Sequence, residues 1–352
     1  MRKSVWLALS NVYRTIGYEK ALKQLFDAGI EEVYPIVATG GGTFYPSKYR
    51  PQHKEFEGKD IVTPFVKEAK KHGIKVHPWI VCMNFSHPKY VEQHKDLYVV
   101  SKEGVSCIDS PPYVPYYKWL CPSREENKEN LANIFVEVAS NFDVDGVHFD
   151  YIRLPDVILP KGLRSKYEGV PDEDVILPKF DFCYCNVCRR LFKEEYGVDP
   201  MKLKIVEPMY GKWFRWRADR ITEIVKYVYR KVKNYDSSIE VSAAVFATPK
   251  LAYEYVFQDW PSWDIDLYNP MIYHKYYAHD HTWIGDAVRE GVLKGVNLSA
   301  GMLIGFFEAK EHVAEAVKLS EENGAVGVTF FVYPPPRPEL VEWIKESLKP
   351  YK

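Results

Sequence analysis

Short apolar runs and amphipathic stretches alternate along the whole chain. The runs at 4–10, 31–39 and 75–83 are typical of buried strands, and 17–30 and 60–73 carry apolar residues at helical spacing. Further strands are predicted at 144–152, 239–247, 265–273, 296–304 and 325–333. Further helices are predicted over 128–142 and 338–349 and near residues 220, 286 and 315. Eight strands alternating with helices predict an α/β protein, a closed (β/α)8 TIM barrel, with a doubly wound open sheet as the alternative.

Two connections are longer than the turns that usually join such elements. Residues 84–127 follow the third predicted strand, and residues 153–212 follow the fourth. Both leave the C-terminal end of a strand, and barrels of this class carry their chemistry on that face. The chain shows neither an internal repeat nor a linker, so the sequence predicts one barrel domain over 1–352 with insertions at about 84–127 and 153–212.

Composition narrows the class of partner. Hydrophobic residues make up 46% and charged residues 27% of the chain, which is typical of a globular protein. The 47 Lys and Arg residues balance 48 Asp and Glu residues, so no overall charge favours nucleic acid or a membrane surface. The N-terminal apolar run is brief and no small-residue cleavage site follows it, so we expect a cytoplasmic protein. The oligomeric state cannot be read from these features.

Two other features of the composition concern the ligand and the source of the protein. The chain has 26 Tyr and 9 Trp, which suits stacking against sugar rings or bases and does not choose between them. Lys and Glu are abundant while Gln is scarce, a bias reported for proteins of thermophilic organisms.

Three cysteines lie close together in the second insertion. The sequence "CYCNVC" places Cys183, Cys185 and Cys188 at a spacing that fits metal ligands better than disulfides in a chain without a secretion signal. Zinc prefers four ligands in structural sites, so a fourth thiolate is needed. It must come from Cys82, Cys107 or Cys121. Because a site with four thiolates has no open position, we interpret it as structural; unligated, partly buried thiols are the alternative.

The fourth predicted strand ends in polar side chains. In "VDGVHFDYIRLP" (144–155), Val144, His148 and Asp150 share one face of the strand, and His148 is expected to fill the barrel interior. Asp150 and Arg153 stand at the exit, on the face where such barrels place their active sites. Asp150 is therefore a candidate catalytic carboxylate that Arg153 helps to keep ionised, unless the two merely form a structural ion pair.

This run resembles the strand-four signature of the glycosyl-hydrolase-like families related to the α-amylase superfamily. The segment "QDWPSW" (258–263) and the strand "IDLYNPMIY" that follows are also similar to those families. The resemblance implies a (β/α)8 barrel that hydrolyses glycosidic bonds, with Asp150 as the nucleophile. It departs at strand five, where α-amylase relatives supply a Glu and this chain reads "AAVFATP".

The cysteines carry a second resemblance. "CPS" from Cys121, with "CYCNVC" farther on, resembles the cysteine-zinc cluster of family 42 β-galactosidases, which place one Cys before strand four and C-x-C-x-x-C after it. That resemblance implies that Cys121 is the fourth ligand of a structural zinc ion. No organic cofactor is expected.

The sequence offers two candidates for the general acid and does not choose between them. Glu308 follows strand seven, although an acid in the first turn of a helix is its ordinary role, and Asp259 is the second candidate. Other residues near predicted strand ends suit contacts with sugar hydroxyls or pyranose faces. We take as substrate-binding candidates His77, Trp79, Asn84, Arg153, Tyr273, His274 and Tyr333.

These observations predict a glycoside hydrolase that acts on an oligo- or polysaccharide with retention of configuration. A retaining enzyme needs an ionised carboxylate and a protonated one about 5 to 5.5 Å apart. The alternative is a non-catalytic carbohydrate-binding barrel with a structural zinc site. A metal-dependent hydrolase would require the histidines to gather around an open metal site.

Overall fold

Eight parallel strands form a closed barrel in the computed structural model, which describes residues 1–351. The strands are β1 (Arg2–Leu7), β2 (Glu32–Thr39), β3 (Lys75–Val76 and Trp79–Val81), β4 (Gly146–Asp150), β5 (Glu240–Phe246), β6 (Leu267–Met271), β7 (Ser299–Leu303) and β8 (Gly327–Tyr333). Each strand pairs in parallel with the next, and β8 pairs with β1. This closure confirms the predicted TIM barrel and excludes the open sheet.

Helices separate successive strands. They are α1 (Leu9–Thr15), α2 (Tyr18–Asp27), α3 (Val62–Lys71), α4 (Pro88–Gln93), α5 (Glu125–Asn141), α6 (Asn186–Tyr196), α7 (Pro208–Tyr235), α8 (Pro249–Val256), α9 (Trp283–Val292), α10 (Lys310–Glu322) and α11 (Glu339–Leu348). A short strand, Gly42–Thr43, pairs antiparallel with the end of β2. Among the helices of residues 1–351, none has the length and apolar composition that crossing a bilayer requires.

Most strands are shorter than predicted by a few residues at one or both ends, and two of the differences have a clear physical reason. The first strand ends at Leu7, because the apolar positions Leu9 and Val12 are buried as part of α1 instead of continuing the strand. A short apolar run does not distinguish a strand from the first turn of a helix. The third strand is interrupted at His77 and Pro78, and the two pieces of β3 both pair with β2.

The barrel interior contains a polar layer. Trp6 Nε1 donates to His148 Nε2 at 2.9 Å, and His148 Nδ1 lies 2.8 Å from Ser242 Oγ. His148 is thus a hydrogen-bonded core histidine, as the alternation of β4 indicates. Burial lowers the pKa of His148 well below its usual value, so this histidine is neutral.

The two long connections pack on each other above the C-terminal ends of the strands. Tyr113, in the first, donates its hydroxyl to the Asp156 carbonyl at 2.8 Å, and the Lys102 amide donates to the Asp181 carbonyl at 2.9 Å. Gly162 lies against the loop after β6, where a Cβ atom would come within 2.1 Å of the Lys275 carbonyl oxygen. These contacts make the connections the wall of a cavity over the barrel.

Candidate active site

A cavity of about 300 Å³ opens at the C-terminal ends of the barrel strands. Its aromatic lining consists of Trp6, Trp79, Tyr113, Tyr117, Tyr151, Tyr167, Phe246, Tyr273, Tyr276, Tyr277 and Phe331. Among the described residues that line it, Asp150 and Asp156 are the carboxylates. An aromatic pocket with a few placed polar groups is the usual form of a site for a small ligand or a sugar unit.

Asp150 lies at the last position of β4 and is 6% exposed. Its Oδ2 accepts a hydrogen bond from Trp79 Nε1 at 2.8 Å, and its Oδ1 accepts one from the Tyr151 amide at 2.7 Å. Burial raises the pKa of Asp150 to about 6, although these two donors and the nearby Arg153 oppose the rise. The carboxyl group is thus oriented by the protein and changes charge close to neutral pH.

The backbone turns sharply immediately after Asp150. Tyr151 has a φ of +51°, a left-handed conformation that bulky residues rarely adopt. This turn directs the Tyr151 amide back to the Asp150 carboxylate and ends the strand. Strained backbone of this kind occurs mostly at functional sites, where the surrounding structure holds it.

Arg153 also lines the cavity, but its partner is Asp156. Arg153 Nη1 donates to Asp156 Oδ2 and to the Leu154 carbonyl, both at 3.0 Å. The guanidinium lies over the rings of Trp119, Tyr151 and Phe246, at 4.6, 5.2 and 5.1 Å from the ring centroids. The expected alternative of a direct Asp150–Arg153 ion pair is absent among the contacts of these two residues.

Two further sequence candidates meet Asp150 in this cavity. Trp79 reaches it from β3, and Tyr273 follows β6 and packs its ring 5.7 Å from that of Phe331. Burial, followed by the charge of Asp150, raises the pKa of Tyr273 well above its usual value. The Tyr273 hydroxyl is therefore neutral and lines the same cavity as the carboxylate.

Four substrate-binding candidates lie outside the lining: His77, Asn84, Tyr333 and His274, which lies in a neighbouring pocket. His77 is buried at the N-terminal end of the barrel, with its Nδ1 3.6 Å from Glu240 Oε1, because it precedes Trp79 by two residues along β3. Asn84 lies at the start of the first connection, where its side-chain amide faces the Tyr116 and Lys118 carbonyl oxygens of the same connection. Tyr333 donates its hydroxyl to Gln24 Oε1 at 2.7 Å, on the helix side of β8.

The two candidates for the general acid are likewise not in the cavity. Glu308 is exposed and pairs with Lys275 at 2.6 Å, which lowers the pKa of the Glu308 carboxyl. Asp259 lies between α8 and β6, outside the cavity lining, where it bonds Arg215 of α7 at 2.5 Å and Ser262 at 2.9 Å. His274 lies beside Glu308, under Phe306 and Phe307.

Sequence reasoning missed Asp156 and most of the tyrosines. Asp156 lies three residues beyond Arg153, so the Arg-x-x-Asp spacing was a usable signal. Tyr113, Tyr117 and Tyr167 belong to the two long connections, whose course over the barrel has no periodic pattern in the sequence. Only the folded chain brings these rings together.

The four predicted cysteines lie close together, three of them in the second connection and one in the first. Cys121, just before α5, has its sulfur 3.6 Å from that of Cys185 and 3.4 Å from that of Cys188, and the four ligand atoms, including Cys183 Sγ, lie within 4.8 Å of one another. All four are buried. Hydrogen bonds from the other three thiols lower the pKa of Cys185, while burial raises the pKa of Cys121 and Cys183. This group could hold a metal ion.

The sequence matches a family of glycosyl-hydrolase-like proteins. The sequence model of the Glycosyl hydrolase-like 10 family matches residues 1–322. The glycosyl hydrolase DigH of Escherichia coli strain K12 is 28% identical over 147 residues, covering 37% of this chain and 32% of the relative. The match to DigH of Shigella flexneri has the same extent. The matched part therefore spans about a third of the length of these curated relatives, and the family match confirms the resemblance noted in β4.

Solved structures share the fold at low sequence identity. The glycoside hydrolase domain of PgaB (BpsB) from Bordetella bronchiseptica superposes with a TM-score of 0.73 at 14% identity, covering 99% of this chain and 98% of that one. The catalytic domain of β-amylase from Paenibacillus polymyxa gives 0.67 at 12% identity, covering 99% and 98%. A β-galactosidase from Halorubrum lacusprofundi gives 0.66 at 13% identity, covering 99% and 57%.

Proposed function

Because this chain belongs to the Glycosyl hydrolase-like 10 family, we propose that it hydrolyses glycosidic bonds of an oligo- or polysaccharide in the cavity around Asp150. The observation that carries the proposal is the Asp150 carboxyl itself. It is buried at the end of β4, fixed by two hydrogen-bond donors, and surrounded by rings on which a sugar can stack. A carboxyl group with these properties is suited to attack on, or stabilisation of, an anomeric carbon.

In this proposal, Asp150 is the nucleophile of a retaining reaction. With a pKa of about 6, it is mostly ionised at pH 7 and above, as attack requires. Trp79 and the Tyr151 amide hold both oxygens in place, so little reorganisation precedes the bond to carbon. Water then releases the sugar from the covalent intermediate.

The second carboxylate of the cavity is Asp156. It is a candidate to protonate the leaving oxygen, but its pairing with Arg153 favours an alternative role, in which both side chains hold sugar hydroxyls. The two roles are distinguishable because substrates with good leaving groups need little protonation. If Asp156 is the proton donor, Asp156→Asn should lower activity most on substrates with poor leaving groups. If Asp156 binds sugar hydroxyls, activity should fall by a similar factor on substrates with good and with poor leaving groups.

The decisive variant is Asp150→Asn, which keeps the shape of the side chain and removes the attacking charge. We expect activity to fall at least about a thousandfold, roughly 4 kcal/mol of barrier, while substrate still binds. Asp259→Asn is the matched control, because that carboxylate pairs with Arg215 of α7 and does not line the cavity. Full activity of Asp150→Asn would reject the catalytic role, and NMR of the first product anomer would reveal an inverting reaction.

The second candidate function is a carbohydrate-binding barrel without catalysis. It is favoured by the end of β5, where Phe246, Ala247 and Thr248 supply no carboxyl group. A wild-type protein that binds glycans, hydrolyses none of a broad panel, and binds them equally well as Asp150→Asn would support this reading.

We further propose that the cysteine cluster holds one structural zinc ion. A tetrahedron with Zn–S bonds of about 2.3 Å has S–S edges of about 3.8 Å, and the cluster already approaches that size. Four thiolates leave no open position, so the ion would join the segment before α5 to the start of α6 without taking part in hydrolysis. Metal analysis of undepleted protein should find about one equivalent of zinc.

A further inference from the structure

A second cavity, of about 400 Å³, lies beside the first on the same face of the barrel. We propose that this outer pocket, lined by His274, Lys275, His279, Phe307, Glu308 and His312, binds a further, neutral sugar residue of the glycan whose bond is hydrolysed beside Asp150. The inference rests on the proposed glycoside hydrolysis and extends it. The substrate is then a glycan chain that spans both cavities, and not a single sugar with an arbitrary leaving group.

The two cavities share a wall. Tyr276 lines the cavity around Asp150, and its ring packs edge-on against Phe306, which lines the outer pocket, with 4.9 Å between centroids. The backbone of this wall is the short turn His274–Tyr277 after β6. Since sugars in a glycan are joined directly to each other, a pocket that adjoins the cleavage site across this single wall is where a neighbouring unit would lie.

The outer pocket contains a buried polar group without a partner. His274 is 2% exposed, and its Nδ1 has no hydrogen-bond partner. Burial lowers the pKa of His274 to about 4, so the ring is neutral and can donate from one nitrogen and accept at the other. A hydroxyl group has the same dual character. Nδ1 is enclosed by the protein, so a sugar hydroxyl in the outer pocket would bond the His274 ring at its other nitrogen, Nε2.

The charges of the pocket favour an uncharged ligand. Lys275 is already paired with Glu308 at 2.6 Å, and Asp280 accepts from the Thr282 amide at 2.9 Å. A sugar carboxylate would have to displace Glu308 from Lys275 and lie near Asp280. Neutral hydroxyls can bond with these groups without disturbing the existing pair.

The remaining walls are held in place before a ligand arrives. The ring of His279 stacks on Trp283 with 4.5 Å between centroids. His281 stacks on His312 at 4.1 Å, and its Nε2 lies 2.9 Å from Glu315 Oε2. Side chains already fixed by neighbours lose little conformational entropy on binding, which is the property of a formed site.

The test compares substrates of increasing length. The kcat/KM would be measured on malto-, cello- and chito-oligosaccharides of two to six units and on the aryl glycoside of whichever sugar is hydrolysed. We expect wild-type kcat/KM to rise with chain length. In His274→Phe, which keeps the ring packing and removes the polar atoms, the ratio of kcat/KM on the longest chain to that on the aryl glycoside should fall about five- to tenfold. His72→Phe, beside Phe26 on the helix layer, is the matched control.

A constant ratio in a folded His274→Phe would overturn the inference, and so would a wild-type enzyme that is indifferent to chain length. If His274→Phe does not fold, the pocket is tested by NMR on the Asp150→Asn protein. The histidine ring resonances are recorded while each hexasaccharide is added. Shifts at His274, His279 and His312 support the pocket, and their absence overturns it. The same titration keeps the two proposals distinct, because a protein that hydrolyses none of these glycans would contradict only the proposed function.

Discussion

At the scale of single residues, Asp150 shows how opposing effects set the charge of one carboxyl group. Burial favours its protonated form, whereas the Trp79 indole, the Tyr151 amide and Arg153 favour the carboxylate. Burial outweighs the donors, and the pKa of Asp150 is raised to about 6. The group is thus ionised at neutral pH but close to its titration.

Removing one donor should move this balance. In Trp79→Phe, Asp150 loses the hydrogen bond at Oδ2, so its pKa should rise above the wild-type value of about 6. A hydrogen bond to a charged group contributes about 1.5–3 kcal/mol, which corresponds to roughly one to two pH units. The acidic limb of the plot of kcat/KM against pH should therefore move to higher pH by that amount. Trp6→Phe is the control, since its indole bonds His148, and an unmoved limb in Trp79→Phe would contradict the prediction.

The same pKa makes a prediction about stability. The unfolded Asp has a pKa near 3.8 and the folded one near 6, so the native state binds its proton first as the pH falls. The charged carboxyl therefore destabilises the fold above pH 6, and this cost disappears as the pH falls towards 3.8. The free energy of unfolding of Asp150→Asn, relative to wild type, should rise between pH 4 and pH 7 by up to about 3 kcal/mol. Urea unfolding at several pH values measures this, and a pH-independent difference would show that the pKa is not raised.

At the scale of elements, the long connections after β3 and β4 determine what the barrel can bind. They supply Tyr113, Tyr117, Asp156 and Tyr167 to the cavity. The second connection is anchored by a buried ion pair between Asp181 and Arg217 at 2.5 Å and by the contacts of Cys185 and Cys188 with Cys121. A segment with so little regular structure needs such anchors to present side chains in fixed positions.

Breaking the cysteine cluster should loosen this element more than the barrel. Cys185→Ser removes one of four ligands of the proposed zinc site, so the melting temperature should fall and amide exchange should quicken around 181–190 and near Cys121. Cys82→Ser is the control, because this buried thiol lies at the end of β3, outside the cluster. Equal effects of the two variants on exchange around 181–190 would contradict a structural role for the cluster.

At the scale of the whole molecule, the closed barrel encloses titratable side chains in its interior. Burial lowers the pKa of both His77 and His148, so each is neutral in the native state. His77 has no hydrogen-bond partner at either nitrogen, and His148 is bonded to Trp6 and Ser242. Folding therefore requires both rings to remain unprotonated.

This requirement predicts a loss of stability in mild acid. Below the unfolded pKa of 6.5, the unfolded chain binds protons that the native barrel cannot, so the free energy of unfolding should fall with decreasing pH. The slope should be up to about 1.4 kcal/mol per pH unit for each histidine. The measurement should be made on the Asp150→Asn protein, because the Asp150 carboxyl changes the free energy of unfolding with pH in the opposite direction. His77→Phe should lower the slope of the free energy of unfolding against pH between pH 6.5 and 5, and identical slopes would exclude His77 as a source.

The fold could be predicted because its signals are local. Strands and helices leave periodic apolar patterns, and eight alternating units admit few arrangements that bury them all. Asp150 was predictable for the same reason, since it ends a strand whose buried face is evident in the sequence. The cysteines were predictable from their spacing, and the resemblance singled out Cys121.

The contents of the site depended on contacts between distant segments. Whether Glu308 or His274 faces Asp150 depends on side-chain direction at a loop, and the chain directs both to the outer pocket instead. His77 precedes Trp79 by two residues along β3, so it lies nearer the N-terminal end of the barrel and outside the cavity. The sequence by itself thus determined the barrel, the face on which the cavity opens and the Asp150 carboxylate that lines it. Which rings and charges surround that carboxylate was decided only by tertiary structure, because non-periodic connections take their course from packing and not from local pattern.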